Sequence, residues 1–215
     1  MRLLNLLERI GELPAEVWLL PPVVILLTMA AVSFLLRSAR LRRYRAIAAH
    51  TGLSVKPQIF TASEVQGTFR GWPLIMTTVG RRRPTFRRRW TLITVDLKNP
   101  EMISLHLWPQ DFIDHLFMAA GFKELHVGDA GFDRRYVIRS DEPVLVTKMF
   151  QDRVLRDGIL HANIDSVDLV SSKMHVYYAR EERSPAHAET LFTAVTGLAD
   201  AIDALESDGK PEIIR

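Results

Sequence analysis

Twenty consecutive residues, Val17 to Leu36 (VWLLPPVVILLTMAAVSFLL), carry no charge and lie between Glu16 and Arg37. Nothing else in the 215-residue chain restricts its folding as strongly. At about 1.5 Å of rise per residue, a helix of this length matches the roughly 30 Å hydrocarbon core of a bilayer. Pro21 and Pro22 fall in its first turn and a half, where early N–H groups have no intrahelical acceptor to lose. Trp18 stands at the same end, where an indole settles at the headgroup boundary. A core helix of a soluble protein is seldom so long and so uniformly apolar. A cleavable signal would have a shorter apolar stretch, positive charge before it and small residues at the cut. Here Ala30-Ala31-Val32-Ser33 lie inside the run, and apolar residues continue beyond them.

The flanking charges orient the span. Arg2 and Arg9 precede it against Glu8, Glu12 and Glu16, whereas Arg37, Arg40, Arg42, Arg43 and Arg45 follow it. The arginine-rich side of a span stays in the cytoplasm, so a single pass is expected, N-terminus outside and the rest inside. Before the span, Leu3, Leu6, Leu7 and Ile10 recur at helical spacing until Gly11 and Pro14 end the pattern. Such a piece suits the outer membrane interface, a partner's outer loops, or a frayed terminus.

The net charge of +3 conceals a strong polarity. Residues 37–90 hold twelve arginines and Lys56 against Glu64 alone, a balance of +12. Residues 91–215 hold 13 basic and 21 acidic side chains, a balance of −8. The basic stretch adjoins the span, where anionic headgroups attract each Lys or Arg by about 1 kcal/mol. The acidic remainder is repelled from such a surface.

The densest basic cluster is Arg81-Arg82-Arg83-Pro84-Thr85-Phe86-Arg87-Arg88-Arg89-Trp90. It separates two runs rich in β-branched and aromatic residues, Gly67–Val79 and Trp90–Leu97, and so reads as the tip of a long hairpin. Six arginines interleaved with Phe86 and Trp90 suit an acidic protein surface or anionic lipid headgroups. The same composition would suit nucleic acid in an untethered chain; tethering at the bilayer argues for no nucleic-acid partner here. A solvated loop, with arginine serving solubility, is the plain alternative.

After the span, Leu41, Tyr44, Ile47 and Ala48 continue a helical face to His50, with Gly52 placed as a C-terminal cap. Met102–Trp108 adds a strand, and Pro109–Ala120 reads as a short helix. Glu124–Val127 and Arg135–Arg139 flank a turn, and Pro143–His161 reads as one helix capped by Ser140 or Asp141. Ser166–Ser171 and Lys173–Ala179 form a hairpin about Ser171-Ser172, and Ser184-Pro185 opens a last amphipathic helix reaching about Leu205. Antiparallel hairpins with two long helices specify an α+β fold. The expected organisation is an amphipathic segment over 1–16, a transmembrane helix over 17–36, a basic juxtamembrane helix over 37–51, one cytoplasmic domain over 52–205 and a mobile tail over 206–215.

No recognisable catalytic or cofactor motif is present. The chain has no cysteine, which removes thiol catalysis, thiolate metal sites and disulfides. Glycine-rich phosphate loops, HExxH and GxSxG are absent as well. The seven histidines show no i, i+4 pairing, and His106 and His175 on strands read as edge or satisfied core residues. His126, Asp129 and Asp133 could bind a divalent cation or do acid–base work. The structural reading is the stronger one: Gly128 and Gly131 make a turn, Asp129 satisfies its backbone donors, and Asp133 pairs with an arginine. No catalytic residue, cofactor or metal is expected.

Thr51-Gly52-Leu53, Gly67 with Gly71, and the string Gly128-Asp129 followed by Phe132-Asp133-Arg134-Arg135-Tyr136-Val137-Ile138-Arg139-Ser140-Asp141 come after an N-terminal membrane helix. This pattern resembles a widespread group of uncharacterised bacterial membrane-anchored proteins over roughly residues 45–205. The resemblance implies a bacterial inner-membrane protein with a small α+β cytoplasmic domain, and it implies no activity or cofactor. The arginine cluster at 81–89 is not part of that pattern. The function expected from all this is a non-enzymatic accessory or scaffolding subunit of an integral-membrane complex, capping it through the arginine hairpin. The alternative is a membrane-surface sensor that binds anionic lipid headgroups.

Overall fold

The computed structural model describes residues 15–58, 63–82, 87–110 and 125–205, and for residues 15–21, 81, 82, 87 and 88 the backbone alone. The chain divides into two compact units, Met1–Arg42 and Arg43–Arg215. One helix, α1 (Ala15–Thr51), contributes residues to both.

In the first unit α1 is long and apolar enough to cross a membrane, with a mean hydropathy of 1.9 in its most apolar window. None of that window is buried. Two of its hydroxyls are satisfied internally: Thr28 donates to the carbonyls of Val24 and Ile25 at 2.8 Å, and Ser38 donates to Leu35 at 2.9 Å. Hydroxyls bonded back to their own helix need no water, as a lipid surround demands. The amphipathic segment expected over 1–16 lies outside the described residues, apart from the backbone of its last two.

In the second unit α1 ends by packing. Tyr44, Ile47 and Ala48, spaced i, i+3, i+4, are buried. Gly52 adopts φ +72° and the Leu53 N–H reaches the Ala48 carbonyl at 2.9 Å, a Schellman-type stop that a residue with a Cβ would strain.

Eight antiparallel strands follow: β1 (Ser54–Lys56), β2 (Glu64–Phe69), β3 (Trp72–Arg82), β4 (Arg87–Asp96), β5 (Leu105–Pro109), β6 (Tyr136–Ser140), β7 (Ser166–Val170) and β8 (Lys173–Tyr178). Their spatial order is β1-β2-β3-β4-β8-β7-β5-β6. Register aligns Val55, Val65, Met76, Ile93, Val176, Val167, Leu107 and Ile138 as one apolar row across all eight. Because side chains alternate along a strand, these residues share one face. All but Val55 are buried, with Val55 packed against the cluster's rim.

Among the described residues four further helices belong to the domain: α2 (Ala130–Arg135), α3 (Pro143–Met149), α4 (Arg153–His161) and α5 (Pro185–Asp203). Leu191, Phe192, Val195, Leu198 and Ile202 of α5 join the same core, with Leu155 and Ile159 of α4. The Ser184 hydroxyl accepts from the His187 N–H at 3.3 Å, so the expected cap of α5 stands. The α+β class with antiparallel hairpins stands as well.

Two local expectations are corrected. The run Gly67–Val79 is not one strand: it folds back at Arg70-Gly71, with Phe69 opposite Trp72. Both turn residues have positive φ, 50° and 87°, the signature of a type I′ turn, and the absence of Asn at the first position hides it. Pro143–His161 is not one helix either. Phe150 turns into the core 5.4 Å from the Phe132 ring, and Asp152 caps a new helix by accepting from the Val154 N–H at 2.8 Å. The cap expected from Ser140 or Asp141 also differs. Glu142 caps α3 without a side-chain bond, while Asp141 accepts from the Ser104 N–H at 2.7 Å. The short helix expected over Pro109–Ala120 and the tail over 206–215 lie outside the described residues, save the first two positions of the former.

Phe192 is fully buried and meets the edge of Phe69 at 5.6 Å. Phe192→Ala is expected to destabilise the domain by about 3–5 kcal/mol, the usual range for emptying a core aromatic site. Urea unfolding of the full chain in mild detergent measures it.

Candidate docking surface

The β3–β4 hairpin extends beyond its neighbours. β2 pairs with β3 only as far as Met76, and β8 pairs with β4 only from Thr91. Past those points Val79 to Arg82 and Arg87 to Trp90 pair with each other alone among the described residues. Four residues at about 3.3 Å each give a two-stranded ribbon roughly 13 Å long.

Register makes this ribbon electrostatically unusual. Arg81 stands opposite Arg88 and Arg82 opposite Arg87. Like charges at directly opposed positions destabilise a strand pair. Arg89 stands opposite Gly80, and its exposed guanidinium lies 3.7 Å from the largely buried Glu181 carboxylate. Arg83 and Phe86 lie outside the described residues. Trp90, grouped with the arginines by sequence, is instead buried at the ribbon's base opposite Val79.

That base is braced on both strands. On β3, the Thr78 hydroxyl is bonded to the Tyr44 hydroxyl of α1. On β4, the Thr91 hydroxyl donates to the Arg180 carbonyl and accepts from the Glu182 N–H, each at 2.8 Å. Glu182 is itself buried, its carboxylate accepting from the N–H groups of Arg183 and Ser184 at 2.7 Å and meeting the His187 ring at 2.5 Å. Burial and the Glu182 carboxylate together push the neighbouring Tyr178 hydroxyl up. The juxtamembrane residues Arg37, Arg40, Arg42, Arg43 and Arg45 all lie on α1, as does Trp18, whose side chain is outside the description.

The Gly128–Asp141 string builds a scaffold. Asp129 caps α2, accepting from Gly131 at 2.9 Å and Phe132 at 3.0 Å, and its second oxygen meets Arg156 at 3.2 Å. The Phe132 N–H, with Gly131 and Arg156, outweighs desolvation and holds the carboxyl below its ordinary value. Asp133 accepts from the N–H groups of Val127 and Gly128, both at 3.0 Å. The arginine partner expected for Asp133 therefore belongs to Asp129. Arg156 also donates to the Phe150 carbonyl, tying α4 to the break that precedes it. Tyr136 donates to the Ile164 carbonyl at 2.5 Å, and burial pushes its hydroxyl up to about 12. His126 is exposed, and no group of three metal-ligating side chains converges among the described residues.

The sheet's other face carries a polar row that sequence reading did not assemble. Arg139, His106, Asp168, His175 and Thr94 are successive partners across five strands. His106 meets Asp168 at 3.1 Å and His175 meets Thr94 at 3.1 Å, while the Trp108 ring stacks on His106 at 5.3 Å. Their shared parity within alternating strands is a usable signal only once the strand order is known.

No family model matches the chain, and no curated protein matches it. Among solved structures it is similar to the mycobacterial trehalose monomycolate transport factor A, TtfA. The identity is 13% and the TM-score 0.50, over 79% of this chain and 97% of that one. At that identity the likeness is one of fold.

Asp129 supplies a pH-dependent test of the scaffold. Its folded-state pKa lies below the ordinary carboxylate value, so its stabilisation is complete above the unfolded pKa and is lost as pH falls through the folded one. Asp129→Asn is expected to lower the melting temperature by a few degrees at neutral pH. That gap from the wild type should close in acid, below about pH 4. Melting curves from neutral to acid pH check both, and a gap that ignores pH contradicts the assignment.

Proposed function

We propose that the protein is a non-enzymatic, single-pass accessory or scaffolding subunit of a larger bacterial integral-membrane complex. The apolar helix is its anchor, with the N-terminus outside and the domain from Arg43 onward in the cytoplasm. The arginine ribbon docks the domain against an acidic cytoplasmic surface of the partner. The observation that carries this reading is the register: two directly opposed arginine pairs on a ribbon with no flanking strand among the described residues. An anionic counter-surface relieves that repulsion.

Three further points support it. Five arginines after the span favour the cytoplasmic side for the domain. Asp129 and Asp133, the carboxylates best spaced for chemistry, are taken up by backbone donors and Arg156. The solved structure similar in fold is named as a transport factor, which accords with service to a membrane transport system. The resemblance of the Gly128–Asp141 string to bacterial membrane-anchored proteins accords with the same setting.

Purification of the full chain from native membranes in mild detergent is expected to bring down an integral-membrane protein in fixed ratio. Replacing Arg81–Arg83 and Arg87–Arg89 with Ser should lower its recovery about tenfold at low salt, equivalent to roughly 1.4 kcal/mol. Recovery with the wild type should fall as salt rises, and recovery with the variant should respond less. Equal recovery with both proteins removes the ribbon from the account, and a monodisperse monomer contradicts the subunit reading.

One observation favours a second reading, in which the ribbon meets anionic lipid. Its arginines belong to the basic stretch over residues 37–90, which follows the apolar span directly in sequence, and anionic headgroups attract such a stretch. Hydrogen exchange of the full chain in nanodiscs separates the two. Slower exchange over residues 79–90 in phosphatidylglycerol than in phosphatidylcholine, without any partner, indicates lipid contact. Equal exchange excludes it.

A further inference from the structure

Strand β4 carries more backbone than β8 covers. The Thr91 N–H donates to the Arg180 carbonyl at 3.0 Å, and the Leu97 N–H to the Ser172 carbonyl at 2.8 Å. The odd-numbered residues of β4 therefore turn their N–H and C=O toward the β8 side. By that alternation Arg87 and Arg89 present their N–H and C=O groups along the same edge, while Arg88 turns its own toward Arg81. β8 does not supply the next rungs. Past Tyr178 the chain leaves the sheet in an inverse γ-turn, with the Arg180 N–H on the Tyr178 carbonyl at 2.8 Å. Glu182 then accepts from Arg183 and Ser184 at 2.7 Å, which commits the chain to the start of α5. Among the described residues only β3 pairs with Arg87–Arg89. The β8 side of β4 thus ends in a short extended edge, the template that strand addition uses.

Charge decides what can add there. Arg87, Arg88 and Arg89 are consecutive, so their positions alternate between the two faces of the ribbon. A strand laid beside them meets arginine positions on both faces at once. Adjacent acidic residues answer that pattern, whereas an acidic residue at every second position answers one face alone. Two carboxylates of the chain stand near this end: Glu181, 3.7 Å from Arg89, and buried Glu182, which serves the start of α5. Against them stand five ribbon arginines, Arg81, Arg82, Arg87, Arg88 and Arg89, so the local balance stays positive. Charged side chains on an open edge also turn away apolar strands, the common route to aggregation. The same arginines that bar unspecific pairing therefore favour an acidic strand.

We propose that β4 takes up an extended segment of its protein partner, carrying adjacent acidic residues, as an added strand along Arg87–Arg89. The added strand rests on the reading that the ribbon docks against an acidic partner surface, and it makes that contact a backbone ladder rather than a charged patch alone.

The test uses the full chain in phosphatidylcholine nanodiscs and a fluorescent, end-capped peptide with adjacent glutamates set between valines and threonines. A control peptide of the same sequence has its interior amides N-methylated, which keeps the charge and removes the ladder. The unmethylated peptide is expected to bind about tenfold more tightly than the control. It should slow amide exchange at Arg87 and Arg89 and leave Gly80, whose N–H faces the opposite edge of the ribbon, unchanged. Arg89→Pro and Arg89→Ala lose the same charge, but only proline also loses the N–H, at an edge position where proline is tolerated. Arg89→Pro should therefore bind the peptide about fivefold more weakly than Arg89→Ala. The two peptides are compared on the wild type, so that result does not depend on the proline variant folding. Equal binding of both peptides, unchanged exchange at Arg87 and Arg89, or no binding of either would each overturn the added strand. Partner recovery with the arginine-to-serine variant then separates the two ideas: arginine-dependent recovery keeps the docking reading without the strand, and arginine-independent recovery removes both.

Discussion

One row of apolar side chains crosses the whole sheet, and every strand's register depends on keeping it intact. Val55, Val65, Met76, Ile93, Val176, Val167, Leu107 and Ile138 come from eight strands whose order in space departs from their order in sequence. Sliding any strand by one residue would turn its row member to the opposite face. For β7 that slip would set Asp168 in place of Val167 against the core helices. The polar row on the other face is the same constraint seen from outside. Arg139, His106, Asp168, His175 and Thr94 align because their apolar neighbours align.

Holding distant strands in that register falls to polar side chains bonded to backbone. Asn99, at 2% exposure, exchanges hydrogen bonds with both the N–H and the carbonyl of Ile103, and Asp203 of α5 accepts from the N–H groups of Lys98 and Asn99. Thr91 and Glu182 pin the exit of β8, while Asp129, Asp133 and Arg156 pin the entry to β6 and the start of α4. Each group sits at a connection where the ladder stops. A buried backbone donor left without a partner there would forfeit its desolvation cost, so one carboxylate answering two N–H groups is an economical solution.

Legibility in the sequence followed how local each cause is. The apolar run at 17–36, the Gly52 stop of α1, the Ser171-Ser172 turn and the Ser184-Pro185 cap all act within a few residues, and all were readable. The turn at Arg70-Gly71 was missed because arginine holds a position that asparagine would have advertised. The break at Phe150–Asp152 was missed because its cause lies far away, in the burial of Phe150 against Phe132. The acid string was readable as structure but not in its pairing, since Arg156 lies 27 residues beyond Asp129. The alignment of the arginines was out of reach too: that Arg81 faces Arg88 follows from the register of β3 and β4, not from the run of arginines itself.

Stability and charge are thereby segregated. The core row and the side-chain clamps are built from contacts within the domain. The ribbon is the reverse: its base is anchored at Thr78 and Thr91, and beyond that point two arginine pairs face each other with no neighbouring strand among the described residues. Arg89 has the Glu181 carboxylate 3.7 Å away, and its guanidinium stays largely in solvent. Repulsion confined to the end of a firmly based hairpin does not threaten the fold, because the registry that matters is set deeper in the sheet. It leaves positive charge concentrated at the end of the hairpin. A domain whose register is set elsewhere can carry such a feature at small cost, and that is the physical reason to look for its counter-surface.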